Sequence, residues 1–155
     1  MKKQGPNSSG SSALISINAE PCPCPRPRVG RWGAYYPAKY SKWKEFFSAE
    51  LRRVVEAERI VKSSGPIEVR LVLSATRPRT SKLDFPRPDV DNYAKSVLDA
   101  SNKILWDDDS QIIHLHITKL WAPTKCPPQI IIFVTPHRSV FSDMSHALRV
   151  SPKIT

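Results

Sequence analysis

The chain has 155 residues, 40% of them apolar, which is enough for one packed core and leaves little room for a second. No apolar run approaches the roughly 18 residues of a membrane-spanning helix, which excludes that class. Lys and Arg number 24 against 14 Asp and Glu, a net charge of +10 that points to a polyanionic partner.

Residues 1–12, MKKQGPNSSGSS, read as a disordered polar tail without the apolar centre of a secretory signal. A short strand is predicted at 13–19, carrying Leu14, Ile15 and Ile17. The following PCPCPRPRVGRWGAYYP stretch is extended, because alternating prolines forbid a helix. Its Arg26, Arg28 and Arg31 suit phosphate oxygens. Its Trp32, Tyr35 and Tyr36 either stack on bases or simply anchor a solvated basic loop. The odd set of three cysteines (Cys22, Cys24, Cys126) suggests a reducing, cytoplasmic setting rather than a disulfide framework. Together with His114 and His116 they make only a weak zinc signature, and they read as incidental thiols.

Tyr40, Trp43, Phe47, Leu51, Val54 and Val55 recur at three- and four-residue steps, predicting a helix over 38–62 that stops at Ser63-Ser64-Gly65-Pro66. Residues 67–74 alternate as a half-buried strand. A second basic connection at 76–88 carries Arg77, Arg79, Lys82 and Arg87. A helix over 90–104 follows, with Val90, Tyr93, Ala94, Val97, Leu98, Ser101, Ile104 and Leu105 as its buried stripe. Strands are predicted at 111–121 and 129–135. In the first, Ile113, Leu115 and Ile117 share a face opposite His114 and His116. Residues 136–155 read as a polar tail. The elements sum to an α+β fold with a small mixed sheet of about four strands and two main helices.

The charge is unevenly spread. Between Asp84 and Asp109, 26 residues hold seven of the 14 acids and only three bases. A pure phosphate binder gains by losing such charges. Helix capping and turn chemistry are the bland account of the aspartates. The sharper account is a divalent-metal site within a nucleic-acid-binding surface, where the cation reverses the local charge. Asp89 and Asp91 at a helix start, with Asp109 from the next turn, would converge on one Mg²⁺ if the helix lies antiparallel to the following strand. Each protomer would then supply a full acidic set. Lys95, one turn after Asp91, would pair with a ligand carboxylate or face the scissile phosphate.

Arg87-Pro-Asp-Val-Asp-Asn-Tyr-Ala-Lys95-Ser-Val-Leu-Asp-Ala100 followed by Leu105-Trp-Asp-Asp-Asp-Ser-Gln111 closely resembles the RusA family of Holliday-junction resolvases. Pro25-Arg-Pro-Arg28 and the Tyr36–Lys44 stretch resemble that family's N-terminal half. The likeness covers roughly 14–135, so the domain is expected at 13–135. It implies a homodimeric Mg²⁺- or Mn²⁺-dependent endodeoxyribonuclease that resolves four-way DNA junctions by paired symmetric nicks. Carried over by position, Asp89, Asp91 and Asp109 are the catalytic metal-binding acids and Lys95 the catalytic lysine, with Asn92 and Asp99 secondary. The cysteines stand where the family usually has small or basic residues, and the tail after Thr135 has no family counterpart. Two rival readings are a junction-binding protein without catalysis, its aspartates structural, and a phosphoryl transferase acting on a nucleotide. The lack of a GxxxxGK[ST] loop counts against the latter.

Overall fold

The computed structural model describes residues 11–137. It is the expected α+β arrangement. β1 (Ala13–Ile17), the hairpin strands β2 (Arg28–Gly30) and β3 (Gly33–Tyr35), and helix α1 (Ala38–Ala57) come first. β4 (Ile67–Ala75), helix α2 (Val90–Ser101), a single 3-10 turn (Asp109–Gln111), β5 (Ile112–Trp121) and β6 (Gln129–Pro136) follow. The main sheet runs in the order β1-β6-β4-β5, with β4 and β5 parallel and the other pairs antiparallel. The parallel pair arises because α2 makes the crossover between its two strands.

Strict alternation in β4 puts Ile67, Val69, Leu71, Leu73 and Ala75 on one buried face. Ile130, Ile132 and Val134 of β6 and Ile15 and Ile17 of β1 extend that face. Phe47 and Leu51 of α1 and Tyr93, Ala94 and Val97 of α2 close the core over it, with Trp106 fully buried among them. Among the described residues, no helix is long and apolar enough to cross a membrane.

Four local expectations are corrected. First, the basic stretch after Pro27 is not a plain extended loop but a two-stranded hairpin, Arg28 pairing with Tyr35 and Gly30 with Gly33. Second, α1 ends at Ala57, five residues before Lys62. Its end is a Schellman motif: the Ile60 N–H donates to Val55 and the Arg59 N–H to Glu56, with Arg59 at φ 54. An arginine there carries a Cβ penalty that glycine lacks. Arg59→Gly is therefore expected to stabilise the protein by about 1 kcal/mol, a rise in Tm of roughly 4 °C. Thermal denaturation that shows no gain would contradict this helix end.

Third, α2 stops at Ser101, where the Ser101 hydroxyl bonds back to the Val97 carbonyl and Asn102 turns extended at ψ 137. Lys103, at φ 68, then reverses the chain. Val90, expected in the buried stripe, is 38% exposed because it opens the helix at its rim. Fourth, a register shift opposite Ile67 and Glu68 breaks the alternation in β5, so Ile112, Leu115 and Ile117 pair with the buried residues of β4 and Ile113 does not. β5 is an edge strand, with Ile113 and Leu115 both about 40% exposed. Most of both predicted tails, residues 1–10 and 138–155, lies outside the described residues.

Candidate active site at the start of the second helix

Pro88 and the extended backbone of Asp89 (φ −63, ψ 143) launch α2. Asp89 occupies the N-cap position, yet its side chain makes no capping hydrogen bond. Asp91 sits exposed in the first turn. One turn on, the Lys95 ammonium lies 3.2 Å from Asp99, which holds its pKa above the usual lysine value. Lys95 therefore stays charged, and Asp99 fixes its position. The Asn92 carbonyl accepts the backbone N–H of Cys24 at 2.8 Å, which ties the arginine-rich N-terminal segment to the head of α2.

The seven acids of the island have different fates. Asp84 pairs with Arg77 at 3.8 Å, Asp99 with Lys95, and Asp107 with Lys62 at 2.5 Å. Asp108 caps the 3-10 turn by accepting from the Ser110 N–H at 2.9 Å, which holds its carboxyl below the usual carboxylate range. Gln111 completes that capping box, accepting from the N–H groups of Asp107 and Asp108 and donating to the carbonyls of Ser63 and Gly65. Asp109 Oδ1 accepts the indole N–H of the buried Trp106 at 2.7 Å. Five acids thus have structural partners. Among the described residues, Asp89 and Asp91 alone of the seven form neither an ion pair nor a side-chain hydrogen bond.

Asp109 does not join them within one chain. At the start of β5, Gln111 reaches the carbonyls that precede β4. At the far end of β5, Lys119 donates to the Pro88 carbonyl at 2.7 Å and Trp121 to the Leu83 carbonyl at 2.9 Å, both just ahead of α2. Asp109 is therefore beside the C-terminal end of α2 and Asp89 at its N-terminal end, and a 12-residue helix spans about 18 Å. Accordingly, no group of three or more His, Cys, Asp or Glu able to hold a metal ion occurs among the described residues. The expected convergence fails because antiparallel packing of α2 on β5 brings the helix start to the end of the strand, not to its beginning.

The basic residues frame the Asp89 end. Arg26, Arg28 and Arg31 are exposed on the segment tied to Asn92, and Arg77, Arg79, Lys82 and Arg87 are exposed on the loop that runs into Asp89. Lys119 and Trp121, which hold that loop, were not singled out in the sequence. Their signal was a lysine and a tryptophan at inward positions of β5, opposite Leu73 and Ala75. Cys22, Cys24 and Cys126 are free thiols, and burial pushes Cys22 up, away from reactive thiolate character.

A basic α+β protein with its unpaired carboxylates set inside an arginine frame is the class that this fold defines. Comparison with known proteins gives the family. The profile of the endodeoxyribonuclease RusA matches residues 18–135, and the chain belongs to the RusA family. A segment of 36 residues is also 47% identical to the uncharacterized protein YqaN of Bacillus subtilis (strain 168). That match covers 23% of this chain and 25% of YqaN.

Proposed function

We propose that the chain is a Mg²⁺-dependent endonuclease, with Mn²⁺ as a substitute, that resolves four-way DNA junctions in the cytoplasm by paired symmetric nicks. The observation that carries this reading is the pair Asp89 and Asp91, both without side-chain partners at the start of α2, in a strongly basic chain of the RusA family. Hard carboxylate oxygens at a solvent-facing helix start suit Mg²⁺, which keeps several waters and needs few protein ligands. When bound, the ion supplies Lewis-acid polarisation of the phosphoryl group and a more acidic attacking water. Lys95, held charged by Asp99, places a positive charge beside the scissile phosphate, and the two arginine-rich segments grip the flanking backbone. The backbone carbonyl at Asn92 holds one of those segments in place, a contact that belongs to the main chain.

The third acid comes from a second copy. A four-way junction has approximate two-fold symmetry, which two equivalent sites match. β5 is an open edge with apolar Ile113 and Leu115 exposed, the kind of edge that invites strand pairing. Antiparallel pairing of β5 with its copy sets the beginning of one strand against the end of the other. Asp109 of the partner subunit is thereby delivered beside Lys119, and so beside Pro88 and Asp89. In this dimer the acidic set is shared between chains, and neither protomer is active alone.

The experiment incubates the purified protein with labelled four-way, three-way and linear duplex DNA, with and without Mg²⁺. Symmetric nicks confined to branched substrate and dependent on the ion are expected. Binding without nicking at any divalent concentration would instead establish the non-catalytic junction binder.

A further inference from the structure

We propose that Trp32, at the tip of the β2–β3 hairpin, distinguishes a branch point from continuous duplex by stacking its indole on a base splayed out at the junction centre. The inference rests on the reading that this chain acts on branched DNA, and it adds the residue that recognises the branch.

The hairpin is short and stands clear of the core, all six strand residues being exposed. Its turn consists of Arg31 and Trp32 alone, and Gly33, at φ 113, takes the backbone conformation that a side chain would strain. The Tyr35 ring covers Gly30 so closely that a Cβ there would come to 3.1 Å from a ring carbon. Trp32 is 93% exposed and the neighbouring Val29 87%, so the alternative of an aromatic anchor for a basic loop does not hold for this residue. The other three tryptophans each donate their indole N–H: Trp43 to Glu20, Trp106 to Asp109 and Trp121 to Leu83. Trp32 has only the Arg31 guanidinium, 5.4 Å from its ring centroid. That contact covers one ring face with a cation and leaves the other open.

Covering so large an exposed ring with a ligand would add the gain of apolar burial to binding. The chemistry around Trp32 selects the ligand. Arg26, Arg28 and Arg31 on the same segment draw a phosphate backbone, and aromatic stacking on bases tolerates any sequence. Stacking requires an exposed base face. Continuous duplex offers one only at the expense of unstacking, whereas the pairs at a branch point are already interrupted. The location fits as well. Cys24 is fixed to Asn92, and the eight residues from Cys24 to Trp32 reach at most about 28 Å, so the tip stays within about eight base steps, at roughly 3.4 Å each, of the head of α2.

The test compares wild type, Trp32→Ala and Trp32→Phe in EDTA at fixed salt. It uses a four-way junction with 2-aminopurine beside the branch and a linear duplex carrying the same label. Wild type is expected to change the junction fluorescence and to bind the junction more tightly than the duplex. Trp32→Ala should abolish the fluorescence change and weaken junction binding about tenfold, with duplex binding altered less than about twofold. Trp32→Phe should retain most of both. Since Trp32 packs against no core residue, unchanged Tm in both variants is expected. A Trp32→Ala protein that binds and unstacks the junction like wild type would overturn the proposal while leaving the nuclease reading intact. Wild type that shows no preference for branched DNA would instead overturn that reading, and this inference with it.

Discussion

Asp89→Asn is expected to abolish junction cleavage while junction binding stays the same or tightens, and Asp91→Asn should behave alike. The loss of rate should exceed about 100-fold, since even groups one shell beyond a metal ligand change affinity or activity by 10–100-fold. Removing a negative charge from inside an arginine frame favours the phosphate backbone, so affinity should not fall. Neither carboxylate has a structural partner, so stability should change by no more than a surface substitution changes it, within about 0.5 kcal/mol. The checks are a gel-based cleavage assay, equilibrium binding to the same junction, and thermal melting. Cutting and binding lost together, or a large fall in Tm, would show these aspartates to be structural.

Asp109 should respond differently because it has a structural partner besides the catalytic role proposed for it. Its Oδ1 accepts the indole N–H of the fully buried Trp106. Asp109→Asn keeps an oxygen acceptor at that place and should fold normally while losing cleavage. Asp109→Ala leaves the buried N–H without a partner and should lose stability as well, by about 1–3 kcal/mol. Denaturant unfolding of the two variants side by side measures the difference. Equal stability would mean that the Trp106 contact contributes nothing, and cleavage retained by Asp109→Asn would remove Asp109 from the catalytic set.

The parts of the fold that periodicity controls were legible in the sequence. The alternation of Ile67, Val69, Leu71 and Leu73 gives β4, and the spacing of Tyr40, Phe47 and Leu51 gives α1. What escaped was governed by single residues or by packing. β2 and β3 have three residues each, too few to show a period, and all six are exposed. The end of α1 falls at Arg59, where no glycine marks the left-handed turn. The capping box of Asp108 and Gln111 shows in the sequence only as an acid followed three residues later by glutamine, a pattern too short to stand out from ordinary turn chemistry.

The site was half legible for a similar reason. Residue types and basic surroundings identified the acids, whereas their meeting depends on which way α2 lies against β5. Twenty residues separate Asp89 from Asp109, and the 12-residue helix between them carries the two apart. Nothing in the local spacing of the aspartates reports that direction. It is fixed by Lys119 and Trp121 fastening the far end of β5 to the loop before α2.

The shared site is tested most directly by co-expressing Asp89→Asn and Asp109→Asn chains and assaying the isolated mixed dimer on a labelled four-way junction with Mg²⁺. If each site draws Asp89 from one chain and Asp109 from the other, the mixed dimer puts both lesions in one site and leaves its second site intact. It should then nick one strand of the junction, although each variant alone is inactive. A mixed dimer as inactive as its two parents would contradict the shared site.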